Sequence, residues 1–468
     1  MTSTSGITRR EFIASTVAAT AAAGLRPATA ADRKPNILFV LADDLGYGDL
    51  GCYGQERILT PNVDRLAAEG MRFTQAYSGS TVCAPSRCSL MTGKHTGHAT
   101  VRGNVKPELG LTPDEVTAPS LLKRAGYETA MFGKWGLGGP GTGSVPNTRG
   151  FDEFYGFLDQ QHAHNSYPEH LWENQNEVFL TDNWFFRRKR YANDLFTERA
   201  IGILKRPRQK PFFLCLTYTV PHANNELGTF TGNGMEVPSG APYTERDWPA
   251  VERDFAAMIT RMDADVGKIL DLLKQLGLDE ETIVFFTSDN GPHKEGGHNP
   301  EFFRSSGPLR GIKRDLYEGG IRVPAIVRWP GKIAAQQVND TPWAFWDFLP
   351  TVAELAGQKP PAGLDGISIV PALQGKALKS RECFYWEFHE GGFHQAVRKG
   401  DWKLVRQGGK TPELYDLSRD LSERDNLAAQ HQDIAGSLGK LFTTAHTDSD
   451  KFPRRTVTTI PEFTSSLP

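Results

Sequence analysis

Residues 36–44 read Asn-Ile-Leu-Phe-Val-Leu-Ala-Asp-Asp, a mostly apolar run that ends in two acids. A continuous apolar run of this length is typical of a strand in a parallel sheet that is buried on both faces. Ligands of such sheets bind beyond the carboxyl ends of the strands. The stretch therefore predicts a buried parallel strand with a polar site at its end.

The same pattern continues along the chain. Further strands are predicted at residues 128–132, 211–220 and 282–288. Helices are predicted at residues 60–70, 119–125 and 254–276. The last helix is the clearest, since its apolar residues recur at helical spacing and are core residues rather than a cofactor site. The alternation predicts an α/β fold with a large, mostly parallel sheet sandwiched by helices.

The pattern changes past about residue 375. Short antiparallel strands are predicted at 395–406 and 413–417, followed by a helix at 433–444 and a polar, proline-containing tail. We expect a main α/β domain at 31–375 and a smaller α+β subdomain at 376–468. Two segments of the main domain, 147–172 and 223–248, are rich in Asn, His, Gly, Pro and aromatic residues. They are either substrate-binding loops or plain surface loops.

The N-terminus resembles an export signal. Residues 8–13, Thr-Arg-Arg-Glu-Phe-Ile, resemble a twin-arginine motif, an Ala-rich apolar stretch follows, and Ala28-Thr29-Ala30 matches a cleavage site. We expect residues 1–30 to be a twin-arginine-type signal peptide, with the twin-arginine translocase as a partner. The mature chain would then be a bacterial periplasmic or extracellular protein without a stable membrane span. The alternative is a disordered or membrane-retained N-terminus.

Composition excludes several classes of partner and site. The chain has 468 residues, 39% hydrophobic and 23% charged, with a net charge of −2. This is an ordinary globular composition, and the interspersed charges give no basic face for nucleic acid. Five cysteines are too few and too scattered for a disulfide framework. Cys83 and Cys88 have the spacing of two zinc ligands, but no second Cys/His pair follows.

Acids and an amide follow two of the predicted strands. Asp43-Asp44 follows the first strand, and Asp289-Asn290 follows the strand at 282–288. Hard oxygen ligands of this kind suit Ca²⁺, with Mg²⁺ as the alternative, whereas no thiolate or histidine cluster favours zinc. An Asp-Asp pair alone is often a turn or cap, so the prediction of a metal site depends on both segments.

One pentapeptide, Cys83-Ala84-Pro85-Ser86-Arg87, resembles the signature of type I sulfatases, a family of the alkaline phosphatase superfamily. Residues 88–94 resemble the second half of that signature, and residues 43–49 and 287–291 resemble the two metal-binding segments of the family. In these enzymes a maturation enzyme oxidises the signature cysteine to Cα-formylglycine. The resemblance implies an alkaline phosphatase-like fold and hydrolysis of sulfate monoesters. The details are similar to those of bacterial sulfatases acting on sulfated carbohydrates or aryl sulfates.

The resemblance also implies site residues. Residue 83, oxidised and hydrated to a geminal diol, is the implied nucleophile of a covalent sulfo-enzyme intermediate. One diol oxygen attacks sulfur and the alcohol leaves; the second hydroxyl then loses its proton, the aldehyde re-forms and sulfate is expelled. The implied ligands of one Ca²⁺ are Asp43, Asp44, Asp289 and Asn290, with an oxygen of residue 83. The other implied catalytic residues are Arg87 beside the diol, Lys134 and Lys313 on the sulfate, and His222 at the ester oxygen.

The chain departs from the family pattern after Lys134. Most members read Gly-Lys-Trp-His-Leu-Gly, but this chain has Gly136 where they have a histidine that serves as base for the second step. We hypothesise that His162 or His164, in the segment Gln-His-Ala-His-Asn, enters the pocket and replaces it or binds substrate. Arg102 either contacts the substrate beyond its sulfate or has a surface role.

Two other functions compete with sulfate ester hydrolysis. The first is a phosphonate monoester hydrolase or phosphodiesterase of the same superfamily, because some of those enzymes also carry formylglycine. The second is a non-catalytic sugar-binding protein, which only the missing histidine at Gly136 supports. An asparagine among the carboxylates suits a singly charged ester, which favours sulfate over phosphate.

Overall fold

The apolar residues of the chain gather on the two faces of one large sheet. A computed structural model describes residues 1–2, 34–106 and 108–454. Nearly all of the predicted signal peptide and the end of the predicted tail lie outside the described residues. The domain boundaries at 30 and 375 therefore stay predictions.

Within the described residues, the large sheet has eleven strands. They are β1 (Asn36–Asp43), β2 (Met71–Tyr77), β3 (Glu128–Lys134), β4 (Glu153–Phe157), β5 (His170–Glu173), β6 (Asn176–Phe179), β7 (Phe212–Pro221), β8 (Thr282–Ser288), β9 (Arg322–Arg328), β10 (Gln337–Asn339) and β11 (Trp343–Ala344). The order is β10-β2-β9-β8-β1-β7-β3-β4-β5-β6, with β11 paired to β2. The central strands β8, β1, β7, β3 and β4 are parallel, whereas β9, β5 and β6 pair antiparallel with their neighbours.

Helices cover both faces of this sheet. They are α1 (Pro61–Ala68), α2 (Cys83–Thr92), α3 (Ala118–Arg124), α4 (Ala192–Leu204), α5 (Asn225–Thr231), α6 (Ala250–Gln275), α7 (Pro300–Phe303), α8 (Glu318–Ile321), α9 (Phe348–Leu355), α10 (Val370–Leu373) and α11 (Gln432–Thr444). Alternate residues of β1 point to opposite faces, as the pleat of a strand requires. Leu38 and Val40 join a core with α1, α4 and α6, and Phe39 and Leu41 join a core with α2, α3 and α9.

A second, smaller sheet follows in the C-terminal part of the chain. It is antiparallel, with the order β12 (Phe384–Phe388), β13 (His394–Lys399), β14 (Trp402–Arg406) and β15 (Glu413–Asp416). Helix α11 packs on one face through Leu438, Leu441 and Phe442. On the other face Trp386 packs against Tyr77 and Trp346 of the main domain. The predicted fold class, a large mostly parallel sheet between helices with a smaller α+β subdomain, is confirmed.

Several elements differ from the sequence-based expectation. The stretch 395–406 contains two strands, because Gly400 adopts a positive φ of 61° and turns β13 into β14. The segments 147–172 and 223–248 are not wholly irregular, since they contain β4, part of β5 and α5. None of the helices in the described residues is long and apolar enough to cross a bilayer.

Candidate active site

The candidate site lies where parallel strands of the large sheet end. Strand β1 ends in Asp43 and is followed by Asp44, while β8 is followed by Asp289 and Asn290. The register places Asp43 opposite Pro221, the last residue of β7. Asp44 adopts a positive φ of 67°, a conformation that aspartate tolerates better than most residues. The two polar segments are 245 residues apart in the chain and meet at one sheet edge.

These four side chains form a buried oxygen cluster, each with 0% relative exposure. The backbone N–H of Asp44 donates to Asp289 Oδ1 at 3.1 Å, and Asn290 Nδ2 donates to Asp44 Oδ1 at 2.7 Å. Asn290 Oδ1 is buried and meets no hydrogen-bond donor within the described part of the chain. A buried oxygen without a donor is costly unless a cation contacts it.

The charges of the cluster also fit a cation. Burial, reinforced by the negative charges of Asp43 and Asp44, raises the pKa of Asp289 to about 7. A divalent ion among the oxygens would remove this repulsion. Carboxylate and amide oxygens without a thiolate are the ligands that Ca²⁺ and Mg²⁺ prefer. The residues present therefore fit the ion that the sequence predicts.

Cys83 lies beside this cluster at the first turn of α2, a helix whose ten residues are all buried. Its Sγ is 3.4 Å from Asp43 Oδ1. Potential ligand atoms of Cys83, Asp43, Asp44 and His222 all lie within 4.8 Å of one another. Burial and the charge of Asp43 raise the pKa of the Cys83 thiol well above its usual range, so an unmodified cysteine here stays a protonated, weak nucleophile.

Two cations bracket Cys83 and Asp43. Arg87, one helical turn after Cys83, donates through Nε and NH2 to Asp289 Oδ2 at 3.1 and 2.9 Å. Lys134, the last residue of β3, donates from Nζ to Asp43 Oδ2 at 2.7 Å. Arg87 NH1 also donates to the backbone oxygen of Lys134 at 2.6 Å, which fixes the two cations relative to each other.

On the other side of the cluster, His222 and Lys313 form a pair. Lys313 Nζ lies 3.1 Å from His222 Nε2 and 2.8 Å from Asp44 Oδ2. His222 Nδ1 is 2.7 Å from the backbone oxygen of Ala223, which favours the tautomer with a proton on Nδ1 and a free lone pair on Nε2. Burial and the positive charge of Lys313 lower the pKa of His222 to about 3, so the imidazole is neutral.

His164 also reaches this site. Its ring stacks on that of His222 with centroids 4.8 Å apart and an interplanar angle of 18°. His164 Nδ1 lies 3.0 Å from Glu226 Oε2. Burial and the charge of Lys134 lower the pKa of His164 below its ordinary value. A neutral imidazole held at Nδ1 by a carboxylate keeps a lone pair on Nε2.

His162 is directed elsewhere. Its ring stacks on that of His170 at 4.3 Å and meets the edge of Phe157, so it packs on β4 and β5 rather than joining the cluster. At Gly136, whose φ is +69°, a Cβ would lie 2.1 Å from Gln160 Nε2. The space that a histidine would need at this position is thus filled by a side chain from the loop after β4.

The surface role considered for Arg102 is wrong. The side chain is buried, with 3% relative exposure, and NH1 donates to Glu387 Oε1 at 2.9 Å and to the backbone oxygen of Thr447 at 2.8 Å. These contacts join the main domain to the C-terminal subdomain and use the polar atoms of the guanidinium. Contact of Arg102 with substrate stays a prediction without a supporting contact.

Sequence reasoning missed two acids near the site. Glu295 Oε2 lies 3.1 Å from Lys313 Nζ, and Glu226 holds His164. Glu295 follows Asn290 closely in the chain, so its place after β8 was a usable signal. Glu226 lies on the short helix α5, in a segment that the sequence suggested was a loop. Nothing in its local sequence indicates a role in the site.

Comparison with known proteins agrees with this geometry. Residues 35–358 match the family model described as Sulfatase. Residues 312–446 match a second model, described as N-sulphoglucosamine sulphohydrolase, C-terminal. The second match extends across the small sheet and the whole of α11.

Curated relatives and solved structures extend over most of the chain. It is 34% identical over 463 residues to N-acetylgalactosamine-6-sulfatase of Homo sapiens, covering 88% of this chain and 85% of that protein. It is 34% identical over 470 residues to arylsulfatase A of Homo sapiens, covering 87% and 85%. The crystal structure of Ps i-CgsB in complex with k-i-k-neocarrahexaose has a TM-score of 0.77 at 27% identity, covering 91% of this chain and 96% of that one.

Proposed function

The chain belongs to the sulfatase family and is a sulfuric ester hydrolase, and from this premise we propose that residue 83, oxidised from cysteine to Cα-formylglycine, is its nucleophile. The observation that carries the proposal is the convergence on Cys83 of a buried oxygen cluster and a ring of cations. In the proposal, an oxygen of the hydrated side chain occupies the place of Cys83 Sγ.

The proposed substrate is a sulfated carbohydrate. Support comes from the names of relatives, one an N-acetylgalactosamine-6-sulfatase and another crystallised with neocarrahexaose. Aryl sulfates are the second substrate class, since arylsulfatase A is as similar in sequence. The cations around residue 83 suit an anionic ester group in a site with little exposure to water.

The proposed metal is Ca²⁺, with Mg²⁺ as the alternative, held by Asp43, Asp44, Asp289, Asn290 and an oxygen of residue 83. When bound, such an ion supplies Lewis acidity that favours ionisation of a neighbouring hydroxyl. Asp43 and Asp44 also orient Lys134 and Lys313, each through a hydrogen bond from Nζ. The carboxylates thus position both the nucleophile and its cationic partners.

Each cation has a role in the first step. Arg87 holds the diol of residue 83 close to Asp289, and Lys134 and Lys313 donate hydrogen bonds to the sulfate oxygens. One diol hydroxyl gives its proton to the carboxylate of Asp289 and its oxygen bonds to sulfur, as the bond from sulfur to the ester oxygen breaks. The pair formed by His222 and Lys313 provides the proton for the departing alkoxide, because Lys313 Nζ already faces His222 Nε2.

The second step needs a base, and we assign it to His164. Its Nε2 takes the proton of the remaining hydroxyl of residue 83 as the aldehyde re-forms and the bond to sulfate breaks. Glu226 fixes the tautomer through Nδ1, as a carboxylate does for a catalytic histidine in other hydrolases. His162, which packs on His170, is left without a role in this step.

Maturation and export complete the proposal. The segment Cys83–Arg87 is buried in α2, so the formylglycine-generating enzyme must read it before folding is complete. The twin-arginine route transports folded proteins, which sets the order as oxidation, folding, then export to the periplasm or beyond. No nucleic acid partner is proposed for a chain with a net charge of −2.

Three measurements test the proposed function. Peptide mass spectrometry of protein from a host with the maturation enzyme should find residue 83 as formylglycine, and Cys83→Ala should abolish turnover of an aryl sulfate. Comparison with an aryl phosphonate and an aryl phosphodiester separates the sulfatase from the phosphonate hydrolase. Faster turnover of either phosphorus ester, or a residue 83 that remains a thiol in active protein, contradicts the proposal.

A further inference from the structure

A polar cavity of about 450 Å³ lies between the loop after Lys313 and the small C-terminal sheet. Its polar and aromatic lining comes from both parts of the molecule: Arg314, Asp315, Phe388, Glu390, His394 and Gln407. The last four lie at or just beyond the ends of β12, β13 and β14. The cavity is therefore built by the C-terminal subdomain together with the loop after Lys313, and none of the lining residues belongs to the segments 147–172 and 223–248.

Backbone hydrogen bonds attach this cavity to the segment that carries residue 83. The N–H of Arg314 donates to the backbone oxygen of Thr81 at 3.1 Å, two residues before Cys83. On the other side, Asn104 Oδ1 accepts from the N–H of Ala84 at 3.2 Å, and the N–H of Asn104 donates to Glu390 Oε1 at 3.3 Å. In addition, Arg314 of the cavity wall and Lys313 of the site both pair with Glu295, so this wall lies next to a cation of the candidate site.

The lining suits a ring that carries hydroxyl groups. Carboxylates, an imidazole and an amide offer several hydrogen-bond acceptors and donors, and Phe388 offers an apolar face. The one guanidinium of the lining is already committed, because Arg314 contacts Glu295 and lies 3.4 Å from Glu390 Oε2. Glu390 is compensated by this ion pair, whereas no ion pair joins Asp315 to a basic residue in the described part of the chain. A second anionic group on the ligand would therefore be repelled by Asp315.

We propose that this cavity binds the sugar ring that carries the sulfate ester, and that it selects an uncharged hexose or N-acetylhexosamine with a single sulfate. Rings that bear a second sulfate or a carboxylate are disfavoured by the charge of Asp315. The proposal rests on the proposed sulfatase function and adds to it a class of sugar and the residues that select it.

The test compares two substrates of the matured enzyme. One is 4-methylumbelliferyl sulfate, which has no sugar; the other is the best substrate among the monosulfated isomers of galactose and N-acetylgalactosamine. We expect His394→Ala, Gln407→Ala and Glu390→Gln each to lower the ratio of sugar to aryl kcat/KM at least tenfold. Lys399→Ala, an exposed position on the same strand as His394, is the matched control and should leave the ratio unchanged. Thermal unfolding of each variant verifies that it is folded.

The outcomes separate this proposal from the function it rests on. An unchanged ratio in all three folded variants overturns the subsite. Turnover of the aryl sulfate without turnover of any monosulfated sugar also overturns it, while leaving the sulfatase mechanism in place. Preference for disulfated or uronate-containing sugars overturns the charge selection. If the matured protein hydrolyses neither ester, the proposed function fails, and the subsite fails with it.

Discussion

At the scale of single residues, the site pairs each positive side chain with a carboxylate through a short hydrogen bond. Lys134 is held by Asp43, Lys313 by Asp44 and Arg87 by Asp289. Each cation thus lies within 2.9 Å of a carboxylate oxygen, and these side chains are nearly inaccessible to water. Buried charges are stable only when paired in this way, and removal of one partner leaves the other exposed to the full cost of burial.

The pair of His164 and Glu226 leads to a kinetic prediction. We expect His164→Ala to lower kcat on 4-methylumbelliferyl sulfate about 100-fold and Glu226→Gln about tenfold, because a general base contributes roughly 10²–10⁴-fold. Since only the second step is slowed, rapid mixing should reveal a burst of one equivalent of methylumbelliferone. Glu198→Gln, an exposed carboxylate of α4, is the control. Unchanged kcat in His164→Ala would show that another group is the base.

Metal binding leads to a second prediction at this scale. Calcium added to chelator-treated wild-type protein should raise the unfolding temperature, because an ion at 100 times its Kd stabilises the native state by about 2.7 kcal/mol. Asn290→Ala removes the unpartnered oxygen and should weaken this calcium dependence at least tenfold in apparent Kd. Asn339→Ala, an amide on β10, should retain it. Equal calcium titrations for all three proteins would exclude Asn290 as a ligand.

At the scale of elements, close approach of neighbouring strands positions the catalytic groups. Strand β3 delivers Lys134, and the residue before it, Gly133, has a φ of +122°. A Cβ at Gly133 would lie 1.8 Å from the backbone oxygen of Thr217 on β7. Thr217 Oγ1 in turn donates to the backbone oxygen of Lys134 at 3.0 Å. The pairing of β3 with β7 therefore sets the direction of Lys134.

We expect Gly133→Ala to lower the free energy of unfolding by about 1–3 kcal/mol, because the added Cβ forces the two strands apart at a strained backbone position. Activity on an aryl sulfate should fall as well, since Lys134 shifts with the strand. Gly202→Ala is the matched control: this glycine is exposed in α4 with no heavy atom near its Cβ position. The free energy of unfolding of Gly202→Ala should exceed that of the wild-type protein by about 0.5–1 kcal/mol. Urea unfolding of both variants gives the two differences, and a stable, fully active Gly133→Ala would contradict the argument.

At the scale of the whole molecule, buried charges join the small sheet to the main domain. Lys403 on β14 lies 2.9 Å from Glu318 of α8 and 2.9 Å from Glu423, and all three side chains are inaccessible to solvent. Arg102 forms a second link through Glu387 of β12. Glu387 directly precedes Phe388, a residue that lines the proposed sugar cavity.

These buried acids predict a pH dependence of stability. Burial raises the pKa of Glu423 from 4.5 to about 7. Lys403 only partly offsets this rise, because it also pairs with Glu318, whose negative charge raises the pKa of Glu423 further. Between those pH values the native state holds a proton that the unfolded chain has released, so stability is greatest below pH 4.5 for this group and declines as pH rises through about 7. Glu423→Gln should flatten this part of the stability curve relative to the wild-type protein. Denaturant unfolding at several pH values measures the slopes; parallel curves for wild type and Glu423→Gln would contradict the assignment.

Local sequence patterns were sufficient to predict the main strands and the polar residues at their ends. The run 36–42, the run 282–288 and the helical spacing at 254–276 each appear in the fold with bounds within a few residues of the prediction. Hydrophobic periodicity is a local property, and strand ends in a parallel sheet meet at one edge whatever the loops do. Cys83, Lys134 and His222 were assigned to one site through the resemblance to the sulfatase family, and the fold places them around the same oxygen cluster.

Contacts between distant parts of the chain determined which other side chains enter the site and line the proposed sugar cavity. His164 and His162 differ by two positions, yet only His164 stacks on His222, because Glu226, 62 residues away, holds it there. Gln160 fills the space beside Gly136, and Arg102 is buried by residues more than 280 positions further along the chain. The proposed sugar cavity is lined by the ends of the small sheet and by the loop after Lys313, not by the two segments that composition favoured as substrate-binding loops. Such choices depend on which side chains reach a common space, and that information arises only when the segments pack together.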